Sequence, residues 1–210
     1  MAYDQDYFRT VYPAKLEPSA YNDKVSRFWM YNLFEANGYD VAGKTVLDFG
    51  SGPGHLTRSI GAWCYDVSEY AHGLLAQDNR RIVTDLAAVA DGFFDFVLSS
   101  HSLEHTLEPL AELVRLRRLL RPDGRLLLVL PIEPHPGPVA LRPDRHRHGY
   151  SWNFQNITNL LDEAGFAVEH QSVVYGPTGL RFFSNMRMVR QLGRLRRLWP
   201  SMLTVAHNIL

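Results

Sequence analysis

Apolar residues along this chain follow two spacings in turn, and the alternation predicts the architecture. Continuous apolar runs at 44–49, 62–65, 81–83, 93–98 and 125–130 read as strands, the last of them the most apolar. Runs of this kind form the centre of a parallel sheet, where both faces are covered. Elsewhere apolar residues recur every three or four positions, the period of a helix with one buried face. Ser19 caps the first such stretch, which carries Val25, Phe28, Trp29, Leu33 and Phe34 on one stripe and runs to about Asn37, ended by Gly38. A second stripe over 108–120 passes through Leu110, Leu113, Leu116 and Leu120 and is closed by Pro122-Asp123-Gly124. A third, over about 153–164, uses Phe154, Ile157, Leu160 and Leu161 before Gly165. Phe166 to Tyr175 reads as a sixth strand, and Leu203 to Leu210 as a final, antiparallel one. Alternating strands and helices imply right-handed crossovers and an α/β fold around a mostly parallel sheet.

Three stretches stand outside this rhythm. Residues 1–18 lack periodicity and contain Pro13 and Pro18, which predicts an irregular arm. Its Tyr3, Tyr7, Phe8 and Tyr12 either close over a ligand as a lid or pack on the domain. Residues 131–150 hold five prolines with His135, His146 and His148, and a long loop of that kind in a compact domain usually has a task, here shaping a substrate pocket. Between the last two strands, Met188, Leu192, Leu195, Trp199 and Met202 recur opposite Arg187, Arg190, Arg194 and Arg197, predicting a basic amphipathic helix within 181–199. That helix is open to three readings: solvated surface, contact with an anionic membrane or a phosphate-bearing acceptor, or an oligomer contact.

Composition narrows the class. A chain of 210 residues with 46% apolar and 21% charged positions suits one soluble domain over 19–210 with an arm before it. Formal net charge is zero, so nucleic acid is not expected as a partner. Cys64 is the only cysteine, which excludes an intrachain disulfide and a thiolate-cluster metal site. The acidic, aromatic start MAYDQDYF is unlike a signal peptide, and no apolar run approaches the roughly 20 residues of a membrane-spanning helix. The expectation is a cytoplasmic enzyme, monomeric or homodimeric.

Candidate chemistry gathers at the carboxyl ends of the predicted strands, where open parallel sheets bind ligands. The first strand runs into Asp48-Phe49-Gly50-Ser51-Gly52-Pro53-Gly54, a turn whose alternate glycines allow close backbone approach to a ligand. Asp66, Asp85 and Ser99-Ser100-His101 fall at the ends of the next three.

This glycine turn resembles motif I of the class I S-adenosylmethionine-dependent methyltransferases. Phe94 to His105, a strand running into Leu103-Glu104-His105, resembles their post-motif segment. Leu119-Leu120-Arg121-Pro122-Asp123-Gly124-Arg125-Leu126 and Asn159-Leu160-Leu161-Asp162-Glu163-Ala164-Gly165-Phe166 resemble their turns into strands five and six, so the likeness covers about 44–175. It implies a Rossmann-like class I methyltransferase fold with a seven-stranded, mostly parallel sheet and an antiparallel last strand. It also implies S-adenosyl-L-methionine as cofactor. On that resemblance Gly50, Ser51, Gly52 and Gly54 pass under the cofactor, and Asp48 helps hold its ammonium. Asp66 takes both ribose hydroxyls, Asp85 and the backbone of Leu86 face the adenine, and Ser99 lies near the methionyl group. In one respect the chain departs from the family: 11 residues separate Gly54 from Asp66 and 18 separate Asp66 from Asp85, so the helices after strands one and two are trimmed. A dinucleotide dehydrogenase would instead need a long helix opening at its third glycine, and residues 55–61 hold at most two turns.

The activity implied is methyl transfer to an oxygen, or secondarily a nitrogen, of a small-molecule or sugar-like acceptor. The protein's part is alignment, exclusion of water and a base. His101 and His148 are the candidate bases, since histidine titrates near neutral pH. Tyr7, Tyr12, His135, His146 and Tyr150 are candidates for acceptor contacts, while the resemblance gives His105 an ordering role. His101 and His105 at i,i+4, with Asp144, His146 and His148 alternating nearby, raise a metal reading. The carboxylate beside His105 is not in the zinc-protease arrangement, however, and no metal is expected. Two other classes stay open: a different small-molecule enzyme on the same fold, or a non-catalytic subunit of a complex.

Overall fold

The computed structural model describes residues 3–12, 19–132, 148–177, 183–197 and 200–209. Seven strands, β1 (Val46–Phe49), β2 (Trp63–Tyr65), β3 (Arg81–Ile82), β4 (Phe94–Ser100), β5 (Leu120–Pro131), β6 (Phe166–Val174) and β7 (Ser201–Asn208), form one sheet. Its order is β3-β2-β1-β4-β5-β7-β6. The first five strands pair in parallel, and β7 lies antiparallel between β5 and β6. From β1 the chain steps outward to β2 and β3, then returns to β4 on the other side. The crevice between the carboxyl ends of β1 and β4 is therefore the switch point of the sheet.

The continuous apolar runs are explained by cover on both faces. Consecutive strand residues point to opposite sides, so Leu47, Val97, Leu126 and Leu128 meet Leu113 and Leu116 of α4 (Pro109–Leu119) and Ile157 and Leu161 of α5 (Phe154–Glu163). Val46, Phe96, Leu98, Leu127 and Val129 meet Met30, Leu33 and Phe34 at the end of α2 (Ala20–Leu33) on the other face. Ser19 caps α2 through the Asn22 amide at 3.1 Å, and Gly38 adopts φ +85° beyond it, as the sequence predicts.

Two elements differ from expectation. The arm contains a helix, α1 (Gln5–Val11), capped by the Asp4 carboxylate on the Tyr7 amide at 3.0 Å. Two turns are too few to show a period, and its single buried residue, Phe8, is held by tertiary contact. The basic helix, α6 (Met186–Arg196), turns a different face inward from the one its leucine spacing suggests. Val189 packs on Phe28, and half-buried Arg190 donates to the Asn32 side chain at 2.7 Å, while Met188 and Leu195 face solvent. Gly193 decides this, because a Cβ there would stand 2.6 Å from the Gly176 carbonyl. Only the smallest residue permits that approach.

The crossover from β1 to β2 is a single 3-10 turn, Arg58–Ile60, and the next holds a nine-residue helix, α3 (Glu69–Gln77). Buried polar contacts hold the shortened first crossover. Asp48, 2% exposed, accepts the Thr57 hydroxyl at 2.7 Å. Arg80 reaches the same hydroxyl at 3.2 Å and also donates to the Gly54 carbonyl. Burial pushes the Asp48 carboxyl up to about 6, against the lowering pull of the Thr57 hydrogen bond and the Arg80 charge.

A carboxyl whose folded pKa lies above its unfolded value keeps its proton longer in the native state. Its stabilisation is complete below the unfolded pKa and is lost as pH rises through the folded one. Asp48→Asn, which retains an acceptor for Thr57, should therefore gain stability relative to the parent between pH 4 and pH 7.5, by on the order of 2–3 kcal/mol. Urea unfolding of both proteins across that range measures it, and parallel pH curves would show that Asp48 titrates as an ordinary carboxyl.

Candidate functional site

A cavity of about 410 Å³ opens at the switch point, within the roughly 300–1,000 Å³ typical of small-ligand sites. Gly50, Gly52, Asp66 and Val67 line one side, and His101, Ser102 and His105 line the other. Tyr3, Tyr7, Phe8 and Tyr12 of the arm close it from above.

The floor is built by the glycine turn. Gly50 (φ +70°) and Gly52 (φ +52°) lie in the left-handed region that glycine enters without strain. The amides of Gly50 and Ser51 both donate to the Tyr65 carbonyl, at 2.8 and 3.0 Å, tying the turn to the end of β2. The Gly52 amide donates to one Asp66 carboxylate oxygen at 2.7 Å and the Ser68 amide to the other at 2.9 Å. Burial raises the Asp66 pKa, while these amides and His72 pull it down. Each carboxylate oxygen keeps acceptor capacity for another donor.

The cover is aromatic. The Ser68 hydroxyl donates to the Tyr3 carbonyl, fastening the arm to the end of β2. Phe8 packs on Tyr70 at 5.6 Å and Tyr12 on His55 at 5.7 Å between ring centroids. Burial first, and then neighbouring ionisable groups including Asp66 and Glu104, raise the phenols of Tyr3, Tyr7 and Tyr12, Tyr7 to about 12. These tyrosines stay protonated at neutral pH.

On the β4 side His101 adopts φ +52°, an uncommon conformation for a side-chain-bearing residue, held by its amide donating to the Val129 carbonyl at 2.8 Å. Its ring is 44% exposed, with Nε2 3.2 Å from the Ser201 hydroxyl and Nδ1 3.6 Å from Glu104 Oε1. Behind it lies the 3-10 turn Leu103–His105. Glu104 is fully buried, and among the described residues neither carboxylate oxygen has a hydrogen-bond partner. His148 Nε2 stands 4.0 Å from Glu104 Oε1, and the His148 ring packs edge-on against His105 at 4.7 Å.

The structure sorts the residues singled out from sequence. Gly50, Gly52, Asp66, His101, Tyr7 and Tyr12 line the cavity. Asp48, Ser51 and Gly54 lie beneath it, the first two buried and the last against Leu75 and Arg80. Ser99 is buried and hydrogen-bonded to Ser102 at 2.6 Å, so Ser102 is the serine that reaches the cavity. The Asp85 carboxylate caps the Ala87 amide at 2.8 Å and the Leu86 side chain joins the core; neither residue is among those lining this cavity. His148 sits behind His105 rather than on the cavity wall, and Tyr150 stacks on Trp152 while donating to the Leu107 carbonyl. His135 and His146 fall outside the described residues. Thr57, Arg80, Ser102 and Glu104 carry no local pattern that marks them for the site. Glu104 stands within Leu103-Glu104-His105, but its burial is not a property of that string.

A family profile described as a methyltransferase domain matches residues 17–171. The ubiquinone biosynthesis O-methyltransferase of Xanthomonas oryzae pv. oryzae is 36% identical over 104 residues, 42% of this chain and 44% of that protein. A demethylmenaquinone methyltransferase of Mycolicibacterium gilvum is 35% identical over 111 residues, 49% of this chain and 48% of that protein. The chain thus spans about half the length of the curated relatives it matches, or less. Among solved structures, the Burkholderia thailandensis 1,6-didemethyltoxoflavin-N1-methyltransferase superposes with a TM-score of 0.58 at 18% identity, covering 98% of this chain and 84% of that one, a likeness of fold. With the profile spanning most of the chain and the sheet in the order found, the chain belongs to the class I S-adenosylmethionine-dependent methyltransferase family.

Proposed function

We propose that the chain transfers a methyl group from S-adenosyl-L-methionine to an oxygen, or secondarily a nitrogen, of a small-molecule or sugar-like acceptor. The observation that carries this reading is Asp66. It is a partly buried carboxylate at the end of β2, oriented by two backbone amides and lining the cavity with acceptor capacity to spare. That donor demand fits the two hydroxyls of a ribose. Bound there, the sulfonium supplies an already activated methyl group. Gly50 and Gly52 let the floor approach the cofactor, and the aromatic arm shields the site from water and presents ring faces that attract a cation. His101, half exposed on the cavity wall, is the group suited to take the acceptor's proton, because the phenols nearby hold theirs.

Binding and chemistry are tested separately. Titration of S-adenosylmethionine should give saturable one-to-one binding, and Asp66→Ala should weaken it at least tenfold, the value of about one charge-assisted hydrogen bond. Absence of binding by the parent overturns the reading. Across a panel of hydroxyl and amine acceptors, transfer of a labelled methyl group should fall at least tenfold in His101→Ala, within the range of a general base, with cofactor affinity nearly unchanged. Equal turnover removes His101 as base.

We further read the chain as a cytoplasmic monomer or homodimer with no nucleic-acid partner, whose α6 touches anionic membranes. Solvent-facing Met188 and Leu195 beside Arg187 and Arg194 support that contact. No helix among the described residues is long and apolar enough to cross a membrane. Co-sedimentation should be stronger with vesicles containing phosphatidylserine than with phosphatidylcholine alone, and equal binding sinks the membrane contact.

A further inference from the structure

We propose that Glu104, His105 and His148 form a binding site for a divalent metal ion of the zinc class in the wall of the cavity. Each of the three offers a ligand atom, and these atoms all lie within 4.8 Å of one another. An ion about 2.0–2.2 Å from each would space them at roughly 3.3–3.5 Å, a closure within reach of small side-chain rotations.

Glu104 makes the cluster more than a coincidence of neighbours. Its side chain is fully buried, and both carboxylate oxygens lack hydrogen-bond partners among the described residues. A buried carboxylate without compensation costs several kcal/mol. Among the described residues no lysine or arginine pairs with it; the rings of His101 and His148 approach to 3.6 and 4.0 Å, and His105 lies within 4.8 Å. A divalent cation between Glu104, His105 and His148 supplies the missing positive charge.

The backbone brings the ligands together from distant parts of the chain. Glu104 and His105 are adjacent on the 3-10 turn after β4, whereas His148 follows β5. The Gly149 amide donates to the Glu104 carbonyl at 2.9 Å, which fixes His148 against the turn. Two imidazoles and one carboxylate suit zinc or a neighbouring transition metal better than magnesium, and three protein ligands leave coordination positions open. His105 lines the cavity, so an open position faces it. If methyl transfer proceeds as proposed, such an ion would hold the acceptor oxygen and ease loss of its proton; binding of the ion does not rest on that reading.

The test uses no cofactor or acceptor, so its failure is separate from failure of methyl transfer. Protein stripped with chelator and titrated with Zn²⁺ should bind one equivalent per chain, by calorimetry and by elemental analysis after gel filtration, with Mg²⁺ far weaker. Glu104→Gln and His148→Ala should each lose at least tenfold in Zn²⁺ affinity, while His207→Ala, beside Glu169 at the far end of β7, should bind as the parent does. Near-ultraviolet dichroism checks that each variant is folded. Failure of the parent to reach one equivalent overturns the site, and so does undiminished binding in both ligand variants.

Discussion

The site depends on how the chain leaves β1. A full crossover helix is missing there, and the glycine turn is held from beneath by a buried carboxylate, a threonine hydroxyl and an arginine. Arg80 comes from just before β3, so the end of the sheet's edge strand braces the turn at its centre. Burying Asp48 raises its pKa and costs stability when it ionises, yet the carboxylate orders Thr57, and Thr57 meets Arg80. Local stability is given up here for a floor of fixed shape, a pattern familiar at functional sites.

Above that floor the two walls differ in chemistry. The β2 side presents an oriented carboxylate and the arm an aromatic ceiling, a pairing that suits a ligand with hydroxyls at one end and positive charge near the other. The β4 side presents imidazoles around a buried acid. Its most exposed ring, His101, is held at positive φ by a hydrogen bond to β5, so the strain is borne by the sheet. The two histidines that looked equivalent in the sequence are thus divided: His101 faces the cavity, whereas His148 stands behind it with Glu104.

What could be read from the chain was whatever depends on near neighbours. Strand runs, helix stripes, the caps at Ser19 and Gly38, and the order of elements all follow from spacing, because side-chain direction repeats every two or about 3.6 residues. The trimmed crossover was legible from 11 residues between Gly54 and Asp66. That Gly50, Gly52 and Asp66 gather at one end of the sheet, where they line the cavity, was legible for the same reason: strand ends and tight turns carry local signatures.

Packing decided the rest. Asp85 and Ser99 occupy strand ends as expected, yet a cap on Ala87 and a bond to Ser102 turn them from the cavity, choices set by rotamer and neighbour. Helix α6 buries Val189 rather than the more obvious leucine stripe because Gly193 admits the Gly176 backbone. The sequence by itself determined the strands, the helices α2, α4 and α5 and the glycine–aspartate floor, since those rest on short-range periodicity and turn chemistry. Only the tertiary structure folded the arm over the cavity and set His148 against Glu104, because both arrangements join segments far apart in the chain that have no local signal to mark their meeting.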